Sequence, residues 1–523
     1  MSGARDRTRS GGRLAQLGPI AALAVAAVLR LHRLGARPVW TDEGSTWTAA
    51  TLPITELLHR CVTRDASPPL FYLVTSLALR GADDEWHLRI FPALASLVLV
   101  WLTYRLARLG LGRGWSTLAA LLTALSPHQL QYAQESRTYV PVAACMVGAM
   151  YVYARLQQRP GPQRWLPLVL LTAAGLWMQT IAALGVAAQG LIAVLTPTGR
   201  RRFWPWAGAM AVAGVLYLPW LIYSRTMAEH LGQSHWYIPE ASPHAVFNVL
   251  RSVLVSPFPL VTAPRGSLYP GLGEYLPHVL AYVLLAVPSV LALVLTLPLV
   301  RERSAPGFVS RFCWLAWAAP VAIVVAVSVR QSLLLPRYFV FLGPFLSVLL
   351  ALGVSRVRPA AGRVVLAAWL IALTFLGLFR YDRDFTKEPW RQVAEHIRGT
   401  SPPGRTAVLV PFDADPLLYY LRDGRSGILP IEVHHPQRPF SAGFTPKQLV
   451  EAAGAARLRS RDYDDVWVIV RSAGNADRRE LADRTLAIAA EGRARVEDRA
   501  WTSYNAPLYV ERFVRRARND STP

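Results

Sequence analysis

Lysine is almost missing from this chain. Of 56 basic residues in 523, only Lys387 and Lys447 are lysine, so arginine stands wherever a cation is used and arginine counts alone carry little information. Cysteine is scarce: Cys61, Cys145 and Cys313 lie far apart, which excludes a disulfide framework and a thiolate metal site. No GxGxxG loop occurs, so no segment is assigned a nucleotide. Acid is short, 33 residues against 56 basic, leaving a formal charge of +23. The middle of every long apolar run is free of Asp, Glu, Lys and Arg, whereas a proton-coupled transporter would bury such groups there.

What is present is apolar: 53% of the residues are hydrophobic and 17 are Trp, which fits a polytopic membrane protein better than a soluble basic one. The charge surplus lies before Tyr381, with 33 basic and 13 acidic residues there against 23 and 20 after it. That pattern belongs to short cytoplasmic loops beside an anionic leaflet rather than to nucleic-acid binding. About eleven runs can cross a hydrocarbon core of roughly 30 Å. They lie near residues 15–31, 88–107, 115–127, 138–154, 165–177, 181–197, 203–223, 276–299, 312–329, 338–354 and 364–380. The first follows "MSGARDRTRSGGR" and reads as an uncleaved signal anchor.

With the N-terminus inside, each cytoplasmic loop collects arginine, from Arg105, Arg108 and Arg113 through to Arg356, Arg358 and Arg363. The same orientation leaves only Asp6 and Glu302 of the earlier acids inside. Arg30, Arg33 and Arg37 break the rule on the outer side. The protein is thus expected in the cytoplasmic membrane with a transmembrane unit, 1–381, carrying long outer loops at 32–87 and 224–274. An extracytoplasmic α/β domain, 382–523, is expected from alternating helical patterns ("PWRQVAEHIRG", "KQLVEAAGAARLR", "RRELADRTLAIAAEG") and β-rich runs ("TAVLVPF", "DDVWVIV", "APLYVERFV").

The polar groups that could do chemistry gather at the outer ends of the runs: "WTDEG" with Asp42 and Glu43, "SPPLFYL" with Pro68 and Pro69, "GADDEWHLR", "SPHQLQYAQESRTY" with Glu135, Arg137 and Tyr139, and "LLLPRYF" with Arg337 and Tyr338. Arg137 and Arg337 suit a phosphate, since guanidinium makes bidentate contacts to its oxygens. Glu43, Glu135, Tyr139 and Tyr338 are candidates to support the site or touch a sugar. Other readings stand beside these. Thr41 or Asp42 could cap a helix beginning at Glu43; Pro68 and Pro69 serve as a helix start and as a means of fixing the loop; the two arginines could reach lipid headgroups. Asp83, Asp84 and Glu85 read as a solvated turn. His128, His230, His235 and His244 show no zinc spacing; a divalent cation on the carboxylates stays open.

In order, "W-x-DE", "PPL-x-Y", "LRIFPALAS", "YAQESRTY" and "RYF" resemble the membrane glycosyltransferases of the GT-C class, over roughly residues 15–355, with glycosyltransferase family 39 the branch most like it. Its relatives include the protein O-mannosyltransferases and lipid A aminoarabinose transferases. The resemblance implies a GT-C fold, a polyprenyl phosphate sugar as donor, a glycan, lipid or protein acceptor outside the membrane, and the first acid of the pair, Asp42, as general base. The expected reaction is inverting transfer of mannose or a similar hexose or pentose. Two departures matter: "WMQT" with Gln179 and Thr180 stands where relatives have His-Tyr, and Ser67 where the aminoarabinose branch has Lys, which counts against a lipid A substrate. The rivals are a lipid-linked sugar flippase, which would show internal repeats and polar mid-membrane residues, and a non-catalytic membrane scaffold.

Overall fold

Long runs without a charge or a turn former fold as helices, because in hydrocarbon each backbone polar group must find its partner within its own segment. The computed structural model describes residues 3–65, 67–225, 241–256, 272–424, 427–433, 446–471, 476–503 and 506–515. Each of the eleven apolar runs overlaps one of its helices, beginning with α1 (Gly3–Leu31) and ending with Ala360–Asp384. Seven are long and apolar enough to cross a membrane by themselves, among them Glu85–Ala107, Tyr139–Gln158 and Ala305–Ser328. Arg113–Leu125 and Trp165–Met178 have 13 and 14 residues, about 20 Å at the helical rise and short of a full core.

The helices bury small and aliphatic side chains against one another and leave large apolar ones, such as Leu170, Ile222, Leu284 and Phe379, exposed. In water such a surface would be an aggregation liability; facing lipid it is the solvated side. Close approach is set by small residues. A Cβ on Gly353 would overlap the Ala292 carbonyl, so that pair of helices touches backbone to backbone.

Of the three arginines that break the charge rule, Arg30 and Arg37 are fixed by packing. Arg30 is fully buried, its Nε donating to Ser96 Oγ at 3.0 Å and its other nitrogens to the carbonyls of Thr123 and Ala124. Arg37 lies 4.0 Å over the Tyr381 ring and donates to the Tyr381 carbonyl at 3.1 Å. A cation fixed by packing carries no topological signal. Only Arg33 is solvated, beside Asp382 at 3.7 Å.

The C-terminal domain is a five-stranded mixed sheet in the order β2-β1-β3-β5-β4, with β1 (Thr406–Val410), β2 (Leu429–Glu432), β3 (Asp465–Arg471), β4 (Arg493–Trp501) and β5 (Leu508–Arg515). β1 is parallel to β2 and β3, while β5 runs antiparallel to β3 and β4. β1 is buried along its whole length, and apolar clusters cover both faces of the sheet. Trp390, Val393 and Ile397 of helix Trp390–Thr400 close one face; Leu449, Leu481 and Ile488 of helices Pro446–Ser460 and Ala476–Ala490 close the other. The strands expected from "TAVLVPF", "DDVWVIV" and "APLYVERFV" are β1, β3 and β5.

This domain docks on the short helix α2 (Thr41–Thr51). Asp415 accepts from Thr48 Oγ1 at 2.8 Å and from Arg60 Nη2 at 3.0 Å. A Cβ on Gly44 would lie 2.6 Å from the Pro416 nitrogen, so only glycine lets the backbones meet. Gly44→Ala is therefore overpacking against rigid backbone. It is expected to destabilise the docked protein by about 1–3 kcal/mol, read as a lower Tm of the full chain in detergent, whereas a Gly454→Ala control, whose Cβ meets nothing within 4 Å inside helix Pro446–Ser460, should leave the Tm equal or slightly higher, since Ala favours a helix over Gly.

The acidic turn is solvated at its two aspartates, 42% and 47% exposed, and it also meets the same interface: Asp83 accepts from Trp47 Nε1 at 2.8 Å and Arg422 Nε at 2.9 Å, and Glu85 accepts from Arg391 at 2.8 Å. Asp84 caps helix Glu85–Ala107 by accepting from the His87 N–H. Among the described residues no group of three or more His, Cys, Asp or Glu could hold a metal ion. His230, His235 and most of the 224–274 loop lie outside the described residues.

Candidate active site

Helix α2 begins at Thr41, not at Glu43, and Trp40 occupies the capping position. Asp42 is thus a first-turn residue whose carboxylate is free for other work, and neither Thr41 nor Asp42 is the cap that a T-D-E sequence invites. Two neighbours in sequence go opposite ways. Asp42 stays about a quarter exposed, while Glu43 is fully buried.

Glu43 is the anchor. Its two oxygens take a bidentate pair of bonds from Arg89 Nε and Nη2, both at 2.7 Å, a third from Lys387 Nζ at 2.9 Å and a fourth from the Ser136 N–H at 2.9 Å. Burial alone would push its carboxyl up, but Arg89 and Lys387 outweigh burial and bring it down to about 2. Those contacts hold α2, helix Glu85–Ala107, the "QESR" turn and the interdomain segment together at one carboxylate. Glu43, offered by sequence to the sugar, faces no open space.

Asp42 lies against two cations. Arg337 Nη1 is 3.2 Å from Asp42 Oδ2, and Arg137 Nε is 3.8 Å from the same oxygen. Arg137 also donates from Nη1 to the Asp42 carbonyl at 3.2 Å, and its buried Nε has no hydrogen-bond partner among the described residues. A buried guanidinium donor left open beside a carboxylate is a place where a second anion can be received. Burial raises the Asp42 carboxyl, yet Arg137, Arg337 and Arg471 together hold it below the ordinary carboxylate value.

The tyrosines stand on the other side of the arginines. The Arg337 guanidinium is 5.7 Å from the Tyr139 ring centre and 5.8 Å from that of Tyr338, and Arg137 is 6.0 Å from Tyr139. A small cavity beside them is lined by Tyr139, Val142, Gln179, Ile181, Arg337 and Tyr338, among others. Gln179 is the residue that departs from the family's His-Tyr pair; it accepts from Thr138 Oγ1 at 2.8 Å. Arg337 rides on the 3₁₀ turn Pro336–Leu342, which is tied down by His128 Nε2 to the Pro336 carbonyl at 3.0 Å and Gln129 Nε2 to the Val340 carbonyl at 2.6 Å.

Three further site candidates sit, like Glu43, away from open space. Glu135 is 2% exposed and accepts from Gln131 at 3.4 Å; burial raises its carboxyl well above the usual value, and burial likewise lowers the Lys387 ammonium. Pro68 and Pro69 are buried ahead of helix Leu70–Leu79, whose start they form. Sequence reasoning gave no role to Arg89, Lys387, Glu388 and Arg471. Two carried a signal: Arg89 is the arginine of "LRIFPALAS", and Lys387 is a lysine in a chain that otherwise uses arginine.

A family model for dolichyl-phosphate-mannose-protein mannosyltransferases matches residues 66–223. No curated protein matches the chain. Among solved structures, ArnT from Cupriavidus metallidurans bound to undecaprenyl phosphate superposes with a TM-score of 0.56 at 15% identity, covering 94% of this chain and 97% of that one. The archaeal oligosaccharyltransferase AglB from Archaeoglobus fulgidus, in complex with an inhibitory peptide and a dolichol-phosphate, superposes at 0.54 and 13% identity, covering 95% and 74%. At such identities the likeness is one of architecture, and the architecture is shared nearly end to end: this multi-pass membrane protein, with its C-terminal sheet domain, has the fold of the GT-C membrane glycosyltransferases.

Proposed function

We propose that this protein transfers a sugar from a polyprenyl phosphate donor to a hydroxyl acceptor outside the cytoplasmic membrane, with Asp42 as general base. The observation that carries the reading is the convergence of Arg137 and Arg337 on one partly exposed carboxylate, 3.8 and 3.2 Å away. Solved relatives in fold hold undecaprenyl phosphate and dolichol-phosphate, which supports a lipid phosphate for the two arginines. The division at 381/382, the N-terminus-inside orientation and the selection of acceptor by the 224–274 loop and the C-terminal domain belong to the same proposal.

The step balances without a further reactant. Asp42 takes the acceptor's hydroxyl proton as its oxygen attacks the anomeric carbon, the bond from that carbon to the phosphate oxygen breaks, and the electron pair leaves with the lipid phosphate. Charge grows on the phosphate in the transition state, where fixed guanidinium groups act most strongly. One base and direct displacement give inversion. The sugar is mannose or a similar hexose or pentose; Tyr139 and Tyr338 offer it aromatic faces.

Asp42 clamped by two arginines is a weak base. Donor phosphate competes for the same guanidiniums and adds negative charge, which raises the carboxyl and restores its basicity. Because kcat/KM reports the free enzyme and kcat the complex, the acid limb of kcat is expected at higher pH than that of kcat/KM for the donor, with both flat toward neutrality. Coincident limbs would mean that donor binding leaves Asp42 untouched. Arg337→Ala is expected to raise the donor KM and lower kcat together, a combined loss of about 10²–10³ in kcat/KM, as for other donors to developing oxyanions.

The function is tested by lipid analysis of a deletion strain. One polyprenyl phosphate sugar should accumulate and be cleared by the wild-type gene. A lipid profile identical to the parent's would remove the donor assignment.

A further inference from the structure

Helix α2 has no cap of its own. Trp40 sits at the capping position with extended backbone and no side-chain bond to the first turn, where Ser, Thr, Asp or Asn commonly supplies an acceptor. The acceptor comes instead from the far end of the chain. Glu388 Oε2 accepts from the Thr41 N–H at 3.1 Å, the Thr41 hydroxyl at 2.6 Å and Trp390 Nε1 at 2.9 Å. Its other oxygen, Oε1, accepts from Arg471 Nε at 2.7 Å, and Arg471 Nη1 also reaches the buried Asp413 Oδ2 at 3.5 Å. Glu388 is fully buried, and Arg471 ends β3 with about a quarter of its side chain exposed. Thr41 is the residue before Asp42, and Arg471 is the third cation whose charge reaches the Asp42 carboxylate. Neither Glu388 nor Arg471 has a part in the transfer chemistry above.

We propose that Glu388 is a positioning residue for Asp42, capping α2 in trans and tying it to Arg471 of β3, so that the C-terminal domain is a working part of the transfer site. The inference rests on the reading of Asp42 as general base. A carboxylate at a helix N-terminus is favoured by the helix dipole, and a buried one needs a cation, which Arg471 supplies. Removing it frays the first turn, where Asp42 sits. The Gly44–Pro416 approach and the bonds from Thr48 and Arg60 to Asp415 still keep the domain docked. A displacement near 1 Å at a reacting group is enough for about a hundredfold loss of rate.

The test uses the full-length protein in lipid nanodiscs, with the polyprenyl phosphate sugar that the deletion strain accumulates as donor. Glu388→Ala is expected to lower kcat about 10- to 100-fold with a smaller rise in the donor KM, since Arg337 stays on the turn held by His128 and Gln129 while Arg137 loses part of its hold at the Asp42 carbonyl. Glu388→Gln should fall between, because its amide oxygen still accepts from Thr41. Arg471→Gln removes a cation that holds Asp42 down, so the acid limb of kcat/KM moves to higher pH, and Arg471→Lys moves it back. The proposal is overturned if Glu388→Gln, which is near-isosteric, and Arg471→Gln keep the wild-type kcat and pH profile, or if they change only the yield of folded protein. If Asp42→Asn itself stays active, the base reading has failed; if Asp42→Asn is dead and these variants behave as wild type, only the positioning role has failed.

Discussion

Asp42→Asn is expected to lower kcat for sugar transfer by about 10²–10⁴, the range a positioned general base contributes, with the donor KM little changed or lower. The asparagine keeps the size of the side chain, and its amide oxygen can still face Arg337, so the local geometry survives while the proton acceptor is lost. The charge change has a second consequence. Arg137 and Arg337, no longer shared with a carboxylate at 3.8 and 3.2 Å, become more available to phosphate, and binding of free polyprenyl phosphate should tighten as the rate falls. Opposite movements of rate and lipid affinity would distinguish loss of a base from collapse of the site. Scintillation proximity binding with labelled polyprenyl phosphate, run beside a turnover assay, measures both. An Asp42→Asn protein within a few-fold of wild type in kcat would leave the arginines as lipid anchors and the base unassigned.

How much of this was readable beforehand differs by element. The helices were legible because lipid imposes one rule on every span, so an uncharged apolar run has one outcome. Asp42, Arg137 and Arg337 were legible as exceptions to that rule, polar groups crowded at one end of the runs. The partners that fix them were not. Glu388 reaches Thr41 across 347 positions and Lys387 reaches Glu43 across 344, and periodicity carries no information over such separations. The partners of the acidic turn were hidden for the same reason: Asp83 and Glu85 meet Arg422 and Arg391, 339 and 306 positions further along the chain. In the C-terminal domain, β2 and β4 escaped notice as edge strands. Leu429–Glu432 is four residues long and contains Pro430, and Arg493–Trp501 is largely charged; both features discourage pairing at an open edge and also erase the alternation by which a strand is recognised.

Glu43→Gln carries the largest expected effect on stability. The substitution leaves Arg89 and Lys387, about 1% and 2% exposed, buried with no anion in contact, and breaking a buried pair from one side costs about 3–5 kcal/mol because the remaining charge cannot return to water. Burial already lowers the Lys387 ammonium, so lysine can answer by giving up its proton; Arg89 cannot. The loss should therefore be smaller at pH 9 than at pH 6, the direction in which Lys387 neutralises. A double substitution separates the terms. Glu43→Gln with Lys387→Met should recover part of the lost Tm at pH 6 and lose the part of the pH dependence that belongs to Lys387, leaving that of Glu135, which burial raises to about 7. Thermal unfolding of the full chain in detergent, followed at both pH values, checks it. Equal Tm values for wild type and Glu43→Gln would mean that Arg89 is held by the carbonyls of Leu34, Arg37 and Pro38, with the buried carboxylate contributing nothing to the assembly of the site.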